Sequence, residues 1–528
     1  MKGSFSIQGL CKVKNLVELG LQENQFSGPL PECIGKLTNL QVLDLSFNQL
    51  SGNIQSIVSK LTSLKYLHLS GNEFEGLFSL SALANHSKLE AFMFSSGSSR
   101  LELETETPTW FPTFQLKFID LPNRNLNVRT KAIPSFLLYQ YDIRFIDLSD
   151  NMLVGTFPSW IFQNNSKLRV MNLMNNSFTG TFHLPNYKHD LLRLEISTNN
   201  ITGVLPKEFG LVLSNLRYIN MSRNNFDGNV PSSISEMPSL SFLDLSHNKF
   251  SGELPRSLFA NCTPYGTLIL SNNNFHGNIF PQNMNFRSLV MMDMKNNNFS
   301  VMTGVDVLDS PVLSFWTYPI IRGSGVIFTQ EDGTIYLDLP RVTWNYGEFV
   351  EVEFAMKYRY NSYSGDIINL MAGIDLSCNE LSGRIPPEIG DLHGIRSLNL
   401  SNNHLTGSIP VSFSNLRSLE SLDLGNNNLN GEIPNELVAL NFLGTFNVSY
   451  NNLSGRVLDK GQFGTFDENS YKGNPGLCGP LIHRSCKTDE TSPPSPSVDV
   501  EEEDEGGIDM VCSIGVFVHR MSQFYWCW

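Results

Sequence analysis

The chain has 528 residues, 41% of them apolar and 17% charged, which fits a folded protein and argues against a disordered one. Its formal net charge of −14 argues against nucleic acid as a partner, because phosphate binding needs a basic surface. This length holds several ordinary domains or one long repeat array, and 40 glycines with 26 prolines predict frequent turns.

The opening residues, MKGSFSIQGLCKVKNLVELG, contain no apolar stretch of the kind that drives secretion. From Leu16 one template recurs. LVELGLQEN (16–24), LQVLDLSFN (40–48), LKYLHLSGN (64–72), LRVMNLMNN (168–176), LRYINMSRN (216–224) and LSFLDLSHN (240–248) all follow LxxLxLxxN, mostly at steps of 23 to 25 residues. LEAFMFSSG (89–97) and LKFIDLPNR (116–124) keep the apolar positions, lose the Asn, and read as degenerate copies. A period of this length marks leucine-rich repeats. The leucines of LxL point inward from a short strand, because side chains alternate faces. The Asn three residues later turns the chain inward, and its amide bonds backbone groups left unpaired by the bend. The expected fold is an α/β solenoid, a right-handed superhelix of about 16 repeats with a parallel concave sheet.

The first block of repeats occupies 1–300. The template then stops, and an island insert covers 301–370, rich in aromatic and β-branched residues and so expected to be an ordered lobe with strands. Four more repeats follow over 371–456: MAGIDLSCN, IRSLNLSNN, LESLDLGNN and LGTFNVSYN. Between repeats run FSGPLP (26–31), LSGRIP (381–386), LTGSIP (405–410) and LNGEIP (429–434), where Gly permits a tight turn and Pro opens the convex segment. Residues 457–487 form a C-terminal cap containing Cys478 and Cys486. An acidic linker at 488–510 has nine acids and no Lys or Arg between Asp489 and Asp509. The remaining tail, 511–528, is too short and too polar to supply the ~20 apolar residues of a membrane helix.

The LxGxIP continuation resembles the plant-specific class of extracellular leucine-rich repeats. With the island, the exit EFAMKYRYNSYSGDIINLMAGIDLSCNELSGRIP, the cap FDENSYKGNPGLCGPLIHRSC and the acidic run EEEDEGGIDM, the chain resembles plant leucine-rich-repeat receptor-like proteins, the kinase-less relatives of repeat receptor kinases. The resemblance implies a non-enzymatic plasma-membrane receptor with extracellular repeats. It would bind a peptide or microbial ligand, take no cofactor and signal in defence through a leucine-rich-repeat receptor kinase as co-receptor or adaptor. It also implies a capping disulfide between Cys478 and Cys486. Both ends depart from the family pattern, so a secreted decoy or inhibitor of a microbial enzyme, or a truncated receptor fragment without function, stands as the alternative.

No HExxH, GxxxxGK[ST] or kinase signature occurs, so no catalytic or metal-binding residues are assigned. Ligand binding is expected at what read as solvent-facing positions of the central strands: Arg144, Phe145, Arg169, Arg193, Arg217 and Tyr218, with Phe242 beside them. Arginines stacked on successive coils, with aromatics nearby, suit an extended peptide carrying a carboxylate. Within the island, Lys357, Tyr358, Arg359, Tyr360 and Tyr363 are the expected co-receptor contacts. Ten N-x-[ST] sequons occur, at Asn85, Asn164, Asn175, Asn200, Asn220, Asn261, Asn298, Asn399, Asn447 and Asn452. Cys11 and Cys33 are nearly one repeat apart and could pair in a secreted chain. Cys262 and Cys378 are expected to be small buried residues.

Overall fold

The computed structural model describes residues 2–4, 12–95, 101–106, 109–123, 126–255, 258, 266–279, 291–301, 351–356, 359–364 and 372–486. Sixteen three-residue strands, from Glu18–Gly20 to Thr445–Asn447, pair in parallel into one sheet, one strand for each repeat read from the sequence. The middle residue of each strand, such as Leu43, Ile146 or Leu422, is buried in the core behind the sheet. In each coil it joins the leucines on either side, Leu40 and Leu45 for example, and the Leu or Phe that follows the Asn. A coil cannot bury this apolar edge alone; the next coil covers it, so the core is one continuous cluster along the solenoid.

The asparagines form a ladder. Asn72 donates Nδ2–H to the carbonyls of Leu45 (2.9 Å) and Leu69 (3.1 Å), and its Oδ1 accepts from the Leu50 N–H at 3.0 Å. Each rung thereby satisfies backbone groups of its own coil and of the preceding one. The residue just before the rung takes a left-handed conformation, as at Phe47, Arg223, Cys378 and Tyr450. Only the tight turn into the rung explains non-glycine residues in that region.

Beyond the ladder a second, ten-stranded parallel sheet runs along the flank from Thr202–Val204 to Gly476–Cys478. Gly383 sits in its strand Ser382–Arg384 at φ +89, which a Cβ would strain. Four phenylalanines, Phe226, Phe250, Phe275 and Phe299, stack behind it at centroid distances of 5.9, 6.2 and 6.3 Å. The convex side is mostly 3₁₀ turns opened by proline, as at Pro386 before Pro387–Asp391, with short α-helices at Gln55–Val58, Trp160–Asn164 and Phe209–Val212. Neighbouring convex segments approach closely. A Cβ on Gly210 would lie 1.7 Å from the Ser233 carbonyl oxygen.

The insert does not break the solenoid. Strand Met291–Asp293 before it pairs directly with Gly373–Asp375 after it, and the flank strands on either side meet at Val301 and Ser382. Within the insert, Glu351–Met356 and Arg359–Ser364 form an antiparallel hairpin.

The cap extends the ladder by one rung. Asn474 donates to the carbonyls of Val448 and Tyr471, both at 2.9 Å, and accepts from the Leu453 N–H at 3.0 Å. Cys478 and Cys486 are joined by a disulfide, with Cα atoms 5.1 Å apart. Cys33 is disulfide-bonded as well; Cys11 lies outside the described residues. Cys378 is also disulfide-bonded and half-buried, not the small buried thiol expected from its position. It occupies the left-handed turn position at the coil's edge, where its side chain stays out of the core.

Candidate ligand-binding face

Three columns cross the concave face. Within each strand the first and third residues flank the buried leucine and share this face, and the residue before the strand lies along its edge. Because every strand pairs in register, the same repeat position recurs on each neighbour at a spacing of ~4.8 Å.

The third-position column is acidic. It contains Asp44, Asp120, Asp147, Glu195, Asp244, Asp293, Asp375 and Asp423. Most of these carboxylates accept from the second residue beyond: Asp44 Oδ1 takes the Ser46 N–H (3.0 Å) and O–H (2.6 Å), and Glu195 and Asp375 do the same with Ser197 and Ser377. Burial pushes Asp244 up to about 7, against the opposing Ser246 hydrogen bonds. It pushes Asp293 up to about 6, with Lys295 resisting and the Asp375 charge adding to the rise. Asp423 also rises to about 6, through burial and, to a smaller extent, the Asp375 charge. On adjacent strands Asp120 and Asp147 are both raised, Asp120 by burial and then by its neighbour's charge.

The first-position column changes character along the solenoid. Phe118 and Phe145 stack at 4.1 Å, and with Tyr66, Ala91 and Val170 of the same column and Met93 of the third-position column they form an apolar cluster separate from the core. Further along, Tyr218 stacks on Phe242 at 4.4 Å, the Arg193 guanidinium lies 3.9 Å above the Tyr218 ring, and the Tyr218 hydroxyl donates to Glu195 Oε2 at 2.9 Å. Past the insert the same column is small: Gly373, Ser397, Ser421 and Thr445.

These positions correct the expected solvent-facing stripe. Phe145, Arg193, Tyr218 and Phe242 are between 1% and 7% exposed, because successive strands bring their side chains against one another. Arg144, Arg169 and Arg217 lie in the edge column instead. The Arg169 N–H donates to the Arg144 carbonyl at 2.8 Å, and Leu192 separates Arg169 from Arg217. Lys65 and Lys117, absent from the sequence-derived set, occupy the same column; their position in the template, directly after the first Leu, was the available signal. Lys117 pairs with Glu90 at 2.9 Å, and Arg144 reaches Asp142 at 3.9 Å.

In the insert, Arg359, Tyr360 and Tyr363 fall on strand Arg359–Ser364, and Lys357 and Tyr358 lie outside the described residues. Among the sequons, Asn85, Asn164, Asn200, Asn298 and Asn452 are exposed, and Asn261 lies outside the described residues. Asn175, Asn399 and Asn447 are half-buried, and Asn220 is buried. Asn220 and Asn399 use Oδ1 to hold the N–H and O–H of Ser222 and Ser401. Among the described residues no group of three or more His, Cys, Asp or Glu is placed to hold a metal, and no helix is long and apolar enough to cross a membrane.

Family models described as leucine rich repeat match residues 189–250 and 393–453, and a two-copy repeat model matches 38–79. Receptor-like protein 14 of Arabidopsis thaliana is 48% identical over 233 residues, which is 44% of this chain and 23% of that protein. Receptor-like protein 15 of the same plant is 55% identical over 182 residues, 34% of this chain and 18% of its own length. The matched stretch thus spans less than a quarter of either relative. Among solved structures, the Arabidopsis receptor kinase HAESA in complex with the peptide hormone IDA and the co-receptor SERK1 shares 25% identity at a TM-score of 0.57, over 90% of this chain and 76% of that one. The PEPR1–AtPEP1 complex shares 25% identity at a TM-score of 0.60, over 89% and 59% of the two chains.

Proposed function

Since the chain is a leucine-rich-repeat protein related to the plant receptor-like proteins, we propose that it is a non-enzymatic cell-surface receptor whose concave face binds an extracellular peptide or microbial ligand. The observation that carries this reading is the edge column of Lys65, Lys117, Arg144, Arg169 and Arg217, interrupted by Glu90 and Leu192, beside the stacked Arg193–Tyr218–Phe242 group. A basic lane next to a preformed aromatic stack suits an extended peptide with an acidic group or free carboxylate. HAESA, a structural neighbour, carries a peptide hormone and a co-receptor in its complex. By that analogy this chain, which has no kinase signature, signals through a receptor kinase that meets the insert, at Arg359, Tyr360 and Tyr363 with Lys357 and Tyr358, and the last four repeats. Defence is the expected use.

The test takes the glycosylated protein secreted from plant cells and measures capture of peptides from an apoplastic extract. Wild type should retain peptides that the R144A/R169A/R217A variant loses. Equal retention by the two proteins would remove the concave face as the ligand site.

A further inference from the structure

We propose that the concave face of the last four repeats holds a subsite for a cationic side chain, a guanidinium or ammonium of the ligand, centred on Asp375. The inference rests on the peptide-receptor reading and specifies which ligand chemistry this end of the face accepts.

Strands Met291–Asp293 and Gly373–Asp375 pair so that Asp293 and Asp375 stand directly opposite each other. Asp375 is 1% exposed. Its Oδ1 accepts both the N–H and O–H of Ser377, at 3.0 and 2.6 Å, and its Oδ2 has no hydrogen-bond partner. A buried carboxylate oxygen without a donor is costly, and a cation is the partner that relieves the most of that cost. Nearby cations are already engaged: Lys295 lies 3.6 Å from Asp293 Oδ2, and Arg396 binds Glu420 at 2.7 Å. The cluster carries surplus negative charge, and the charge of Asp375 helps to raise both Asp293 and Asp423. Beside it, the first-position column contains Gly373, Ser397, Ser421 and Thr445, where the first half of the face has Phe118, Phe145, Tyr218 and Phe242. This column therefore places only small side chains beside Asp375, and they are buried with it. With the basic lane toward the N-terminal end, this face favours a peptide whose basic residue lies toward the insert and whose acidic group lies toward the first repeats.

The experiment titrates N-acetyl-argininamide, and separately its neutral isostere N-acetyl-citrullinamide, into the secreted ectodomain and follows binding by ligand-observed NMR. Wild type should bind the arginine probe at least tenfold more tightly than the citrulline probe, and D375N, which keeps the Oδ1 bonds to Ser377, should lose that preference. E436Q, which removes an exposed carboxylate on the convex side, serves as the control and should keep it. Equal binding of the arginine probe by wild type and D375N overturns the subsite, as does equal binding of the two probes by wild type. Because the probe is a single residue, either result is independent of whether the R144A/R169A/R217A variant loses peptide capture.

Discussion

Phe299 and Asn379 are bonded across 80 positions of sequence: the Phe299 N–H donates to Asn379 Oδ1 at 3.2 Å, and Asn379 Nδ2 returns to the Met294 carbonyl at 3.1 Å. The ladder therefore closes over the insert as if the insert were an ordinary convex segment. Replacing residues 302–371 with a copy of 384–395, the equivalent stretch of the next coil, should leave a folded, monomeric solenoid with a melting temperature within a few degrees of wild type. N379A should be much worse. It leaves several buried backbone groups unpaired at roughly 1–3 kcal/mol each, enough to lower the melting temperature visibly by circular dichroism. If the replacement unfolds and N379A does not, the insert and not the ladder holds the two blocks together.

Tyr218 joins three interactions at one point: the Phe242 stack, the Arg193 guanidinium and the Glu195 carboxylate. Y218F removes only the hydroxyl and should cost about 1 kcal/mol in chemical denaturation, while Y218A also opens a cavity on the face and should cost about 3 kcal/mol. A Y218A cost no larger than that of Y218F would mean that the stack contributes nothing.

The repeat frame, the strand count and the ladder were legible because each coil obeys a local rule, a buried residue at every LxL and a turn at every Asn. What happens between coils was less visible. Phe145 and Tyr218 looked solvent-facing within their own repeats, yet Phe118 on the preceding strand and Phe242 on the following one cover them, and that depends on register across repeats. The Asn474 rung was hidden because YKGN lacks an LxL strand, although Tyr471 stands three residues before Asn474, as the last Leu does in each repeat. The repeat pattern offered no partner for Cys378, which is nonetheless disulfide-bonded.

The acidic column gives stability a pH dependence. Asp244, at about 7, and Asp293 and Asp423, at about 6, sit above the ordinary carboxylate value of 3.8, so the native state binds more protons than the unfolded chain between about pH 4 and 7. Unfolding free energy therefore falls as pH rises through that window. The buried His86 and His189, held below 6.5 chiefly by desolvation, act the other way and cost stability as pH drops under 6.5. Above 6.5 the histidines no longer contribute, so the melting temperature should fall between about pH 6.5 and 7, where Asp244 still titrates, and level off toward pH 8. D244N should remove the fall between about pH 6.5 and 7 and should change the slope by about one proton's worth between about pH 4 and 6.5 as well. A D244N profile parallel to wild type throughout would show that Asp244 is ionised in the native state across the range.

Asn200, Asn298 and Asn452 occupy one repeat position, the residue after the ladder Asn, and all three are exposed; Asn298 and Asn452 open flank strands, and Asn200 lies two residues before one. Glycans there would line one edge of the solenoid and leave the concave columns open. Asn220 differs: it is buried, and its Oδ1 accepts from Ser222 N–H at 3.0 Å and O–H at 2.7 Å, so a glycan on its Nδ2 would have to break the packing of the face. Glycopeptide mapping of the protein from its own tissue should find the three flank sites occupied and Asn220 bare. N220Q should leave gel mobility unchanged, whereas N200Q, N298Q and N452Q should each shift it by one glycan. Occupancy at Asn220 would mean that this stretch of the concave face is sealed, and would move the ligand away from Arg193 and Tyr218.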